Sequence, residues 1–252
     1  MKDFTTQKYI QLLEAVNESK IQTYGINDWL MNNPERGILI RHDVDRKSEN
    51  SLLIAEREHD YNIKSTFYFR ITKGSFNIDI IKKISKLGHE IGYHYEDLSL
   101  AGGDYENAIK LFEENLQKFR ELVQINTIAM HGRPFSKFDN RDLWKKFNFK
   151  DFGILSEAFL SIDYKDIYYF TDTGRSWNPN SVNLRDKVNN QLSENINSTD
   201  DLIEFIKKNK SGKIAIVSHP ERWSNRFIEY YKNYIFDSLV NIAKITVKNL
   251  LR

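Results

Sequence analysis

Two aspartates separated by one residue mark the first position in this chain that could do chemistry. Asp43 and Asp45 flank Val44 in an extended, apolar stretch. Alternate residues of a strand project to the same side, so both carboxylates can face one small volume. Two negative charges held so close to each other are costly unless a cation or a proton neutralises one of them. Together with His94, they offer oxygen and nitrogen ligands that suit a divalent transition ion with open positions for water.

Several other reactive side chains fall, like these aspartates, at the carboxyl ends of predicted strands. In parallel α/β folds this rim is where ligands bind and chemistry occurs. His94 is expected on the rim position next to Asp45. His59 and His89 do not share this placement, and His42 remains ambiguous. The full set at the rim is Asp43, Asp45, Arg70, His94, His131, Asp172 and His219.

The rim residues also have structural interpretations. Either aspartate taken alone could cap the helix that starts near Lys47. His131 begins a His-Gly-Arg-Pro turn, in which the histidine could be a ligand or a satisfied turn residue and Arg133 could hold an ionised carboxylate.

A second polar motif begins at Asp172. With Arg175 and Trp177 it mixes charge, a turn and an aromatic plane, which suits a sugar, although an exposed ion pair beside a packed tryptophan is equally compatible. We assign the substrate-binding role to Arg70, Asp172, Arg175 and Trp177.

The elements that must position these residues follow from the apolar pattern, which alternates between the periods of strand and helix. Predicted strands cover residues 37–45, 64–70, 89–94, 126–131, 167–172 and 213–219. Predicted helices cover 48–60, 78–87, 105–123, 140–147 and 200–210, with Asp104 and Ser198 or Thr199 as N-caps and Gly88 and Gly212 at helix ends. Residues 177–197 are rich in asparagine and serine and predict a long surface loop.

Repeated strand–helix units imply a parallel sheet, either closed or open. No glycine-rich phosphate loop follows the first predicted strand, which argues against a dinucleotide-binding fold. Fewer than eight clear units are found. We therefore predict an α/β fold, a distorted and incomplete β/α barrel of parallel strands, forming a single domain over residues 1–252.

Composition narrows the classes of partner and metal site. Lysine and arginine number 37 against 35 acidic residues, so no global field favours nucleic acid. The chain has no cysteine, which leaves histidine and carboxylate as metal ligands. The polar N-terminus lacks the apolar core of a signal peptide, and no uncharged run reaches membrane-spanning length, so we expect a cytoplasmic protein.

The C-terminal segment, residues 225–251, predicts a helix with a broad apolar face. We expect this helix to pack against the barrel core. Its basic excess leaves two alternatives open, attachment to an anionic membrane surface or to a second subunit, and a homo-oligomer is compatible with the latter. The apolar face comprises Phe227, Tyr231, Tyr234, Ile235, Leu239, Ile242 and Leu250.

Five segments together resemble the polysaccharide deacetylases, carbohydrate esterase family four. They are residues 41–45 (RHDVD), 65–69 (STFYF), 88–94 (GHEIGYH), 131–134 (HGRP) and 217–219 (VSH). The resemblance runs from about residue 37 to 220, and GHEIGYH is its most specific part. The variant pattern is similar to a divergent branch found among surface-polysaccharide biosynthesis proteins.

The resemblance implies a distorted β/α barrel that uses a divalent metal, most readily zinc, to remove an N-acetyl group from a saccharide or nucleotide-sugar. By this match Asp43 resembles the catalytic base and Asp45 the metal-binding aspartate. His94 resembles the first metal histidine, Arg133 the arginine that orients the base, and His219 the general acid.

The sequence departs from the family pattern at two positions. Val44 separates two acids that are adjacent in the family, so the roles of base and ligand could be exchanged between them. Leu98 occupies the position of the second metal histidine. His131, Glu96 or Asp97 could replace it, and we rank His131 first because imidazole suits these metals and lies on the rim. Two alternatives remain: a catalytically silent barrel that binds glycan or nucleotide-sugar, and an amidohydrolase acting on a non-sugar amide.

Overall fold

The computed structural model describes residues 2–133, 136–177, 188–209 and 212–250, with side chains as far as residue 246. The chain begins with α1 (Thr6–Glu18), β1 (Thr23–Tyr24) and α2 (Ile26–Asn32). Strand–helix units follow: β2 (Gly37–Val44), α3 (Ser48–Asp60), β3 (Thr66–Phe69), α4 (Ile78–Lys86), β4 (Glu90–Tyr95), α5 (Asp97–Leu100), α6 (Tyr105–Arg120) and β5 (Thr127–Met130). After 3₁₀ turns at Asn140–Lys145 and Phe149–Phe152 come β6 (Ser156–Glu157), β7 (Ile167–Thr171), α7 (Thr199–Lys208) and β8 (Lys213–Ser218), then the 3₁₀ turn Pro220–Arg222 and α8 (Phe227–Leu250).

The strands form one parallel sheet in the order β6-β5-β4-β3-β2-β8-β7, and β1 pairs with the beginning of β2. The sheet curls into a half-barrel that stays open between its end strands, β6 and β7. The predicted α/β fold, an incomplete barrel of parallel strands, is therefore confirmed.

Strand β2 lies at the centre of the sheet and is buried along its whole length. Ile38, Ile40 and Val44 belong to the core between the sheet and its helices. Leu39 belongs to a second core on the opposite face of the sheet. Because side chains alternate along a strand, Arg41 and Asp43 share the face of Leu39. The strand thus directs its charged residues away from the helices.

The six predicted strands and the predicted helix 48–60 are present, with most boundaries shifted by one to three residues. Asp104 caps α6, and Ser198 caps α7 in a capping box with Asp201. Residues 140–147 were predicted as a helix, but the structure has the 3₁₀ turn Asn140–Lys145. The sequence patterns did not assign α1, β1, α2, α5 or β6. Part of the predicted loop, residues 178–187, and residue 210 of the predicted helix 200–210 lie outside the described residues.

Helix α8 contacts the barrel through polar side chains rather than through its apolar face. Glu229, Asn233, Asp237 and Asn241 recur every four residues and therefore lie along one side of the helix. Their partners are carboxyl-end residues of the barrel and the loops that follow. The expected apolar packing is thus wrong, because these polar contacts turn the apolar side chains outward. In the described part of the chain, no helix combines the length and apolar character needed to cross a bilayer.

Candidate active site

The predicted rim residues come together at the carboxyl edge of the sheet. Asp45, Arg70 and His131 each follow directly on the last residue of β2, β3 and β5, and His94 is the penultimate residue of β4. Asp172 and His219 follow β7 and β8 in the same way. Strand β3 lies between β2 and β4, so the strands that carry Asp45 and His94 are not adjacent in the sheet, although the two side chains approach each other. The expectation that Asp45 and His94 occupy neighbouring rim positions is corrected accordingly.

Two histidines direct the same ring nitrogen toward the aspartates. Nδ1 of His94 donates a hydrogen bond to the backbone oxygen of Ala129 at 3.0 Å. Nδ1 of His131 is 2.8 Å from Oε2 of Glu96. Since a carbonyl and a carboxylate oxygen can only accept, each Nδ1 carries a proton, and in the neutral form of each imidazole the lone pair is on Nε2. Metal-binding histidines in proteins are typically held by such partners on the opposite nitrogen.

Both Nε2 atoms approach the carboxylate of Asp45. Oδ1 of Asp45 lies 3.5 Å from Nε2 of His94 and 3.5 Å from Nε2 of His131. Two ligands on one tetrahedral zinc, each about 2.0–2.1 Å from the ion, are about 3.3 Å apart. Oδ1 of Asp45 is also buried without a hydrogen-bond partner in the described structure. These three donors therefore fit a divalent ion in chemistry and tautomer.

The donors are not closed into a finished cage. Among the described residues, no group of three or more histidine, aspartate and glutamate side chains has the geometry of a complete metal site. The rings of His94 and His131 meet edge to face with centroids 5.3 Å apart. Two of the short distances between donor atoms that a complete site needs are thus present. They join Oδ1 of Asp45 to Nε2 of His94 and to Nε2 of His131.

Asp43 is held by an arginine from its own strand. Nη2 of Arg41 donates to Oδ2 of Asp43 at 3.0 Å, and both side chains are buried. The other carboxylate oxygen, Oδ1, is buried and has no hydrogen-bond partner in the described structure. Burial raises the pKa of Asp43, but the charges of Arg41, His94 and His219 lower it by a larger amount. The net shift of the pKa is therefore downward. Asp43 is therefore ionised at neutral pH and has one oxygen available to accept a proton.

His219 is paired with a buried aspartate from the neighbouring strand. Its Nδ1 lies 2.6 Å from Oδ1 of Asp172, and its backbone N–H donates to Oδ2 at 3.0 Å. Arg222 and Trp223 also donate to this carboxylate. Burial and Arg222 lower the pKa of His219, whereas Asp172 raises it, and the net shift is upward. The pair therefore favours a protonated imidazole.

Glu96 contacts both His131 and Arg70 beside the candidate metal ligands. It accepts from His131 at 2.8 Å and from Nη2 of Arg70 at 2.6 Å. Burial raises the pKa of Glu96, but His131 and Arg70 lower it to about 2, so the side chain stays ionised. Asp97 turns the other way, toward Tyr93 and Asn115. Of the candidates to replace the missing second histidine, His131 faces Asp45, Glu96 supports His131, and Asp97 lies outside the group.

Several predicted residues have other surroundings than expected. Arg133 does not contact Asp43: its side chain is 42% exposed, and Glu96 lies 3.8 Å away. The arginine that contacts Asp43 is Arg41, which the sequence patterns did not single out. Its position two residues before Asp43 was the available signal, since alternate strand residues share a face. Pro134, the last residue of the His-Gly-Arg-Pro turn, lies outside the described residues.

The predicted substrate-binding residues are mostly buried among protein groups. Asp172 and Trp177 are both fully buried. Asp172 instead supports His219, and Trp177 packs near Phe4 and Trp223 while donating to Thr199. Arg175 is also nearly buried, between Asp237 and the ring of Tyr230 of α8. Arg70 is half-buried at the rim, and its contacts are to Glu96 and the backbone of Asp45.

Glu221 is a further carboxylate near the site that the sequence patterns missed. It lies two residues after His219, in the 3₁₀ turn, and is buried. Arg46 Nε approaches one of its oxygens at 3.5 Å. Burial and the charge of Asp45 raise the pKa of Glu221 to about 7. Its position after a short irregular turn left no periodic signal in the sequence.

Comparison with known proteins gives matches only among solved structures. No protein-family profile matches the chain, and no curated protein sequence matches it. A CE4 family pseudoenzyme from Bacillus anthracis is 15% identical, with a TM-score of 0.41, over 79% of this chain and 59% of that chain. The chain thus spans less than two thirds of that protein's length.

Two further solved structures are similar at the same level. The Xyl-CE4 domain of a multidomain xylanase from the hindgut metagenome of Trinervitermes trinervoides is 15% identical, with a TM-score of 0.39, over 81% of this chain and 82% of that chain. A peptidoglycan N-acetylglucosamine deacetylase is 18% identical, with a TM-score of 0.38, over 72% of this chain and 71% of that chain. At these identities and scores, a functional argument has to come from the site itself.

Proposed function

We propose that this protein is a metal-dependent hydrolase that removes an N-acetyl group from a sugar during polysaccharide or lipopolysaccharide biosynthesis. One observation carries the proposal: His94 and His131 both direct Nε2 to within 3.5 Å of Oδ1 of Asp45, while Nδ1 of each ring is held by an acceptor. The resemblance of residues 41–45 and 88–94 to polysaccharide deacetylases points to the same chemistry.

Asp45, His94 and His131 are the proposed metal ligands. A divalent ion bound there, most readily zinc, supplies polarisation of the amide carbonyl and a lowered pKa of water. Glu96 and the Ala129 carbonyl hold the two imidazoles in the tautomer that ligation requires. Arg70 in turn holds Glu96.

Asp43 is the proposed general base. Its free Oδ1 accepts a proton from the attacking water, and Arg41 keeps the carboxylate ionised and fixed in orientation. The family resemblance gives this orienting task to an arginine, and the contact with Asp43 favours Arg41 over Arg133 for it.

His219 is the proposed general acid. The ionised Asp172 holds its Nδ1, which leaves Nε2 to donate a proton to the departing amine. The charge of His219 lowers the pKa values of both Asp43 and Asp45.

Acetate release tests the proposal directly. Purified protein is loaded with zinc, dialysed, and assayed on N-acetylated oligosaccharides and on N-acetylated nucleotide-sugars. We expect about one ion per chain and acetate production that Asp43→Asn abolishes without loss of metal. Stoichiometric sugar binding without acetate release would support the silent barrel, and release only from non-sugar amides would support the amidohydrolase. A wild-type protein that binds no divalent metal would overturn the assigned ligand set.

A further inference from the structure

Helix α8 separates its polar and apolar side chains onto opposite faces, and the apolar face is outward. Ile228, Ile235 and Leu239 are 69%, 57% and 62% exposed. The spacing of three and four residues places these side chains along one stripe. The complete outward stripe is Ile228, Tyr231, Ile235, Leu239, Ile242 and Ile245.

The inward face is fixed by a row of specific polar contacts. Lys47 Nζ donates to Asn233 Oδ1 at 2.6 Å, and the Asn233 amide donates to the backbone of Glu221 at 2.6 Å. Asp237 is 2.9 Å from Nη2 of Arg46, and Asn241 donates to the backbone of Gly174 at 2.9 Å. These contacts determine the rotation of the helix about its axis. Burying the apolar stripe against this barrel would require all of them to break.

The charged residues of α8 are also divided between its two faces. Its acidic residues, Glu229 and Asp237, both face the barrel, where Lys47 and Arg46 contact them. Lys232 is exposed and follows Tyr231 directly, so it lies beside the apolar stripe. The exposed Lys2 lies against the rings of Phe227, Tyr230 and Tyr231, with its Nζ 4.6 Å from the ring centroid of Tyr231. The outward surface thus combines apolar, aromatic and basic side chains, with no acidic residue contributed by α8.

We propose that the outward face of α8 docks on the surface of an anionic lipid bilayer. An amphipathic helix of this kind lies in the interface, with its apolar side chains among the acyl chains and its basic residues at the headgroups. The same charges disfavour a second copy of this chain as the occupant, because Lys232 and Lys2 would meet only each other and no acid of α8 would be free to pair with them. The aromatic cluster around Lys2 suits the boundary between headgroups and hydrocarbon.

Vesicle flotation with the full chain tests this surface without any measurement of catalysis. We expect binding to vesicles of phosphatidylglycerol and phosphatidylcholine, and much weaker binding to phosphatidylcholine alone. Ile235→Asn with Leu239→Asn should reduce partitioning at least tenfold, and Lys232→Glu should reduce it by about fivefold or more. Met31→Asn, which removes an exposed apolar side chain of α2, and Lys20→Glu are the matched controls and should leave partitioning unchanged.

Circular dichroism and sedimentation velocity complete the test. The α8 variants should keep the wild-type melting temperature, because they alter exposed side chains. Wild-type protein that fails to float with anionic vesicles overturns the proposal. A dimer that dissociates in the Ile235→Asn, Leu239→Asn variant, without vesicle binding by the wild type, also overturns it and identifies a second copy as the occupant. Because flotation needs neither metal nor substrate, its outcome is separate from that of the acetate-release assay.

Discussion

Nδ1 of His219 lies 2.6 Å from Oδ1 of Asp172, and the carboxylate is completely buried. The contact joins the ends of two neighbouring strands, β7 and β8. An aspartate that the sequence suggested for sugar binding thus contacts the histidine that we propose as the general acid. The pKa of Asp172 is about 2, because Arg222 and His219 outweigh the effect of burial, so the support is ionised throughout the working range.

Replacing Asp172 should shift the pH dependence of turnover. In Asp172→Asn the pKa of His219 should fall, because the ion pair that raises it is gone. The general acid then loses its proton at lower pH, so the alkaline limb of the kcat profile should move to lower pH. Steady-state kinetics from pH 5 to about 9 measure this limb, with the exposed Asp151→Asn as control. An unchanged limb would show that Asp172 does not set the protonation of the acid.

His219→Gln should lower turnover by roughly two to four orders of magnitude. Glutamine keeps a polar side chain but cannot supply an acidic proton at neutral pH. Metal content and thermal stability should remain close to those of the wild type. Loss of metal in this variant would make His219 a ligand, and loss of stability alone would make its role structural.

Replacing a proposed metal ligand should reduce metal binding more than replacing Glu96, which orients one of the ligands. Asp45→Asn, His94→Gln and His131→Gln should each abolish stoichiometric metal binding. Glu96→Gln should weaken metal affinity by about 10- to 100-fold, because it removes the acceptor that orients His131. Elemental analysis and competition with a chelating dye measure these effects, and Glu35→Gln at an exposed position is the control. Full metal binding by His131→Gln would exclude His131 from the ligand set.

Removing Arg41 should affect both stability and the acid limb of catalysis. Arg41→Met leaves Asp43 buried without its partner, which typically costs about 3–5 kcal/mol of unfolding free energy. The pKa of Asp43 should rise, so the acid limb of kcat should move to higher pH. Denaturant unfolding and a pH profile are the measurements. The double variant Arg41→Met, Asp43→Asn should recover much of the stability, and failure to do so would show that Arg41 acts through other contacts.

Asp97 should make stability depend on pH. Burial raises its pKa to about 7, while Tyr93 and Asn115 partly oppose the shift. A carboxyl group with a raised pKa in the folded state contributes stability below about pH 4, and this contribution is lost as pH rises to about 7. The melting temperature of Asp97→Asn, relative to wild type, should therefore increase across this window. A constant difference would show that Asp97 titrates normally in the folded chain.

The sequence predicted the parts of this site that depend on local pattern. Side chains alternate along a strand, and parallel α/β folds bind their ligands at the carboxyl ends of the strands. These two rules were enough to predict that Asp43, Asp45, His94 and His219 share one rim. The same alternation places Arg41 on the face of Asp43, so the contact between these two residues could also have been predicted.

The rest depended on contacts between distant segments. The support of His219 by Asp172 requires that β7 pairs with β8, which no local period reveals. Trp177 is buried because Phe4 and Trp223, from opposite ends of the chain, pack near it. The outward rotation of α8 is likewise set by single polar contacts such as Asp237 with Arg46, and not by the period of its apolar residues.

The order of strands around β2 also has a stereochemical consequence for the proposed reaction. The histidines proposed as metal ligands belong to β4 and to the end of β5 on one side of β2, whereas His219 follows β8 on the other side. An amide bound between them must point its carbonyl oxygen toward one flank and its nitrogen toward the other. Since connections between parallel strands are almost always right-handed, this direction is built into the topology. The proposed base, Asp43, belongs to β2 and would therefore lie between the two flanks, beside the carbonyl carbon that the water attacks.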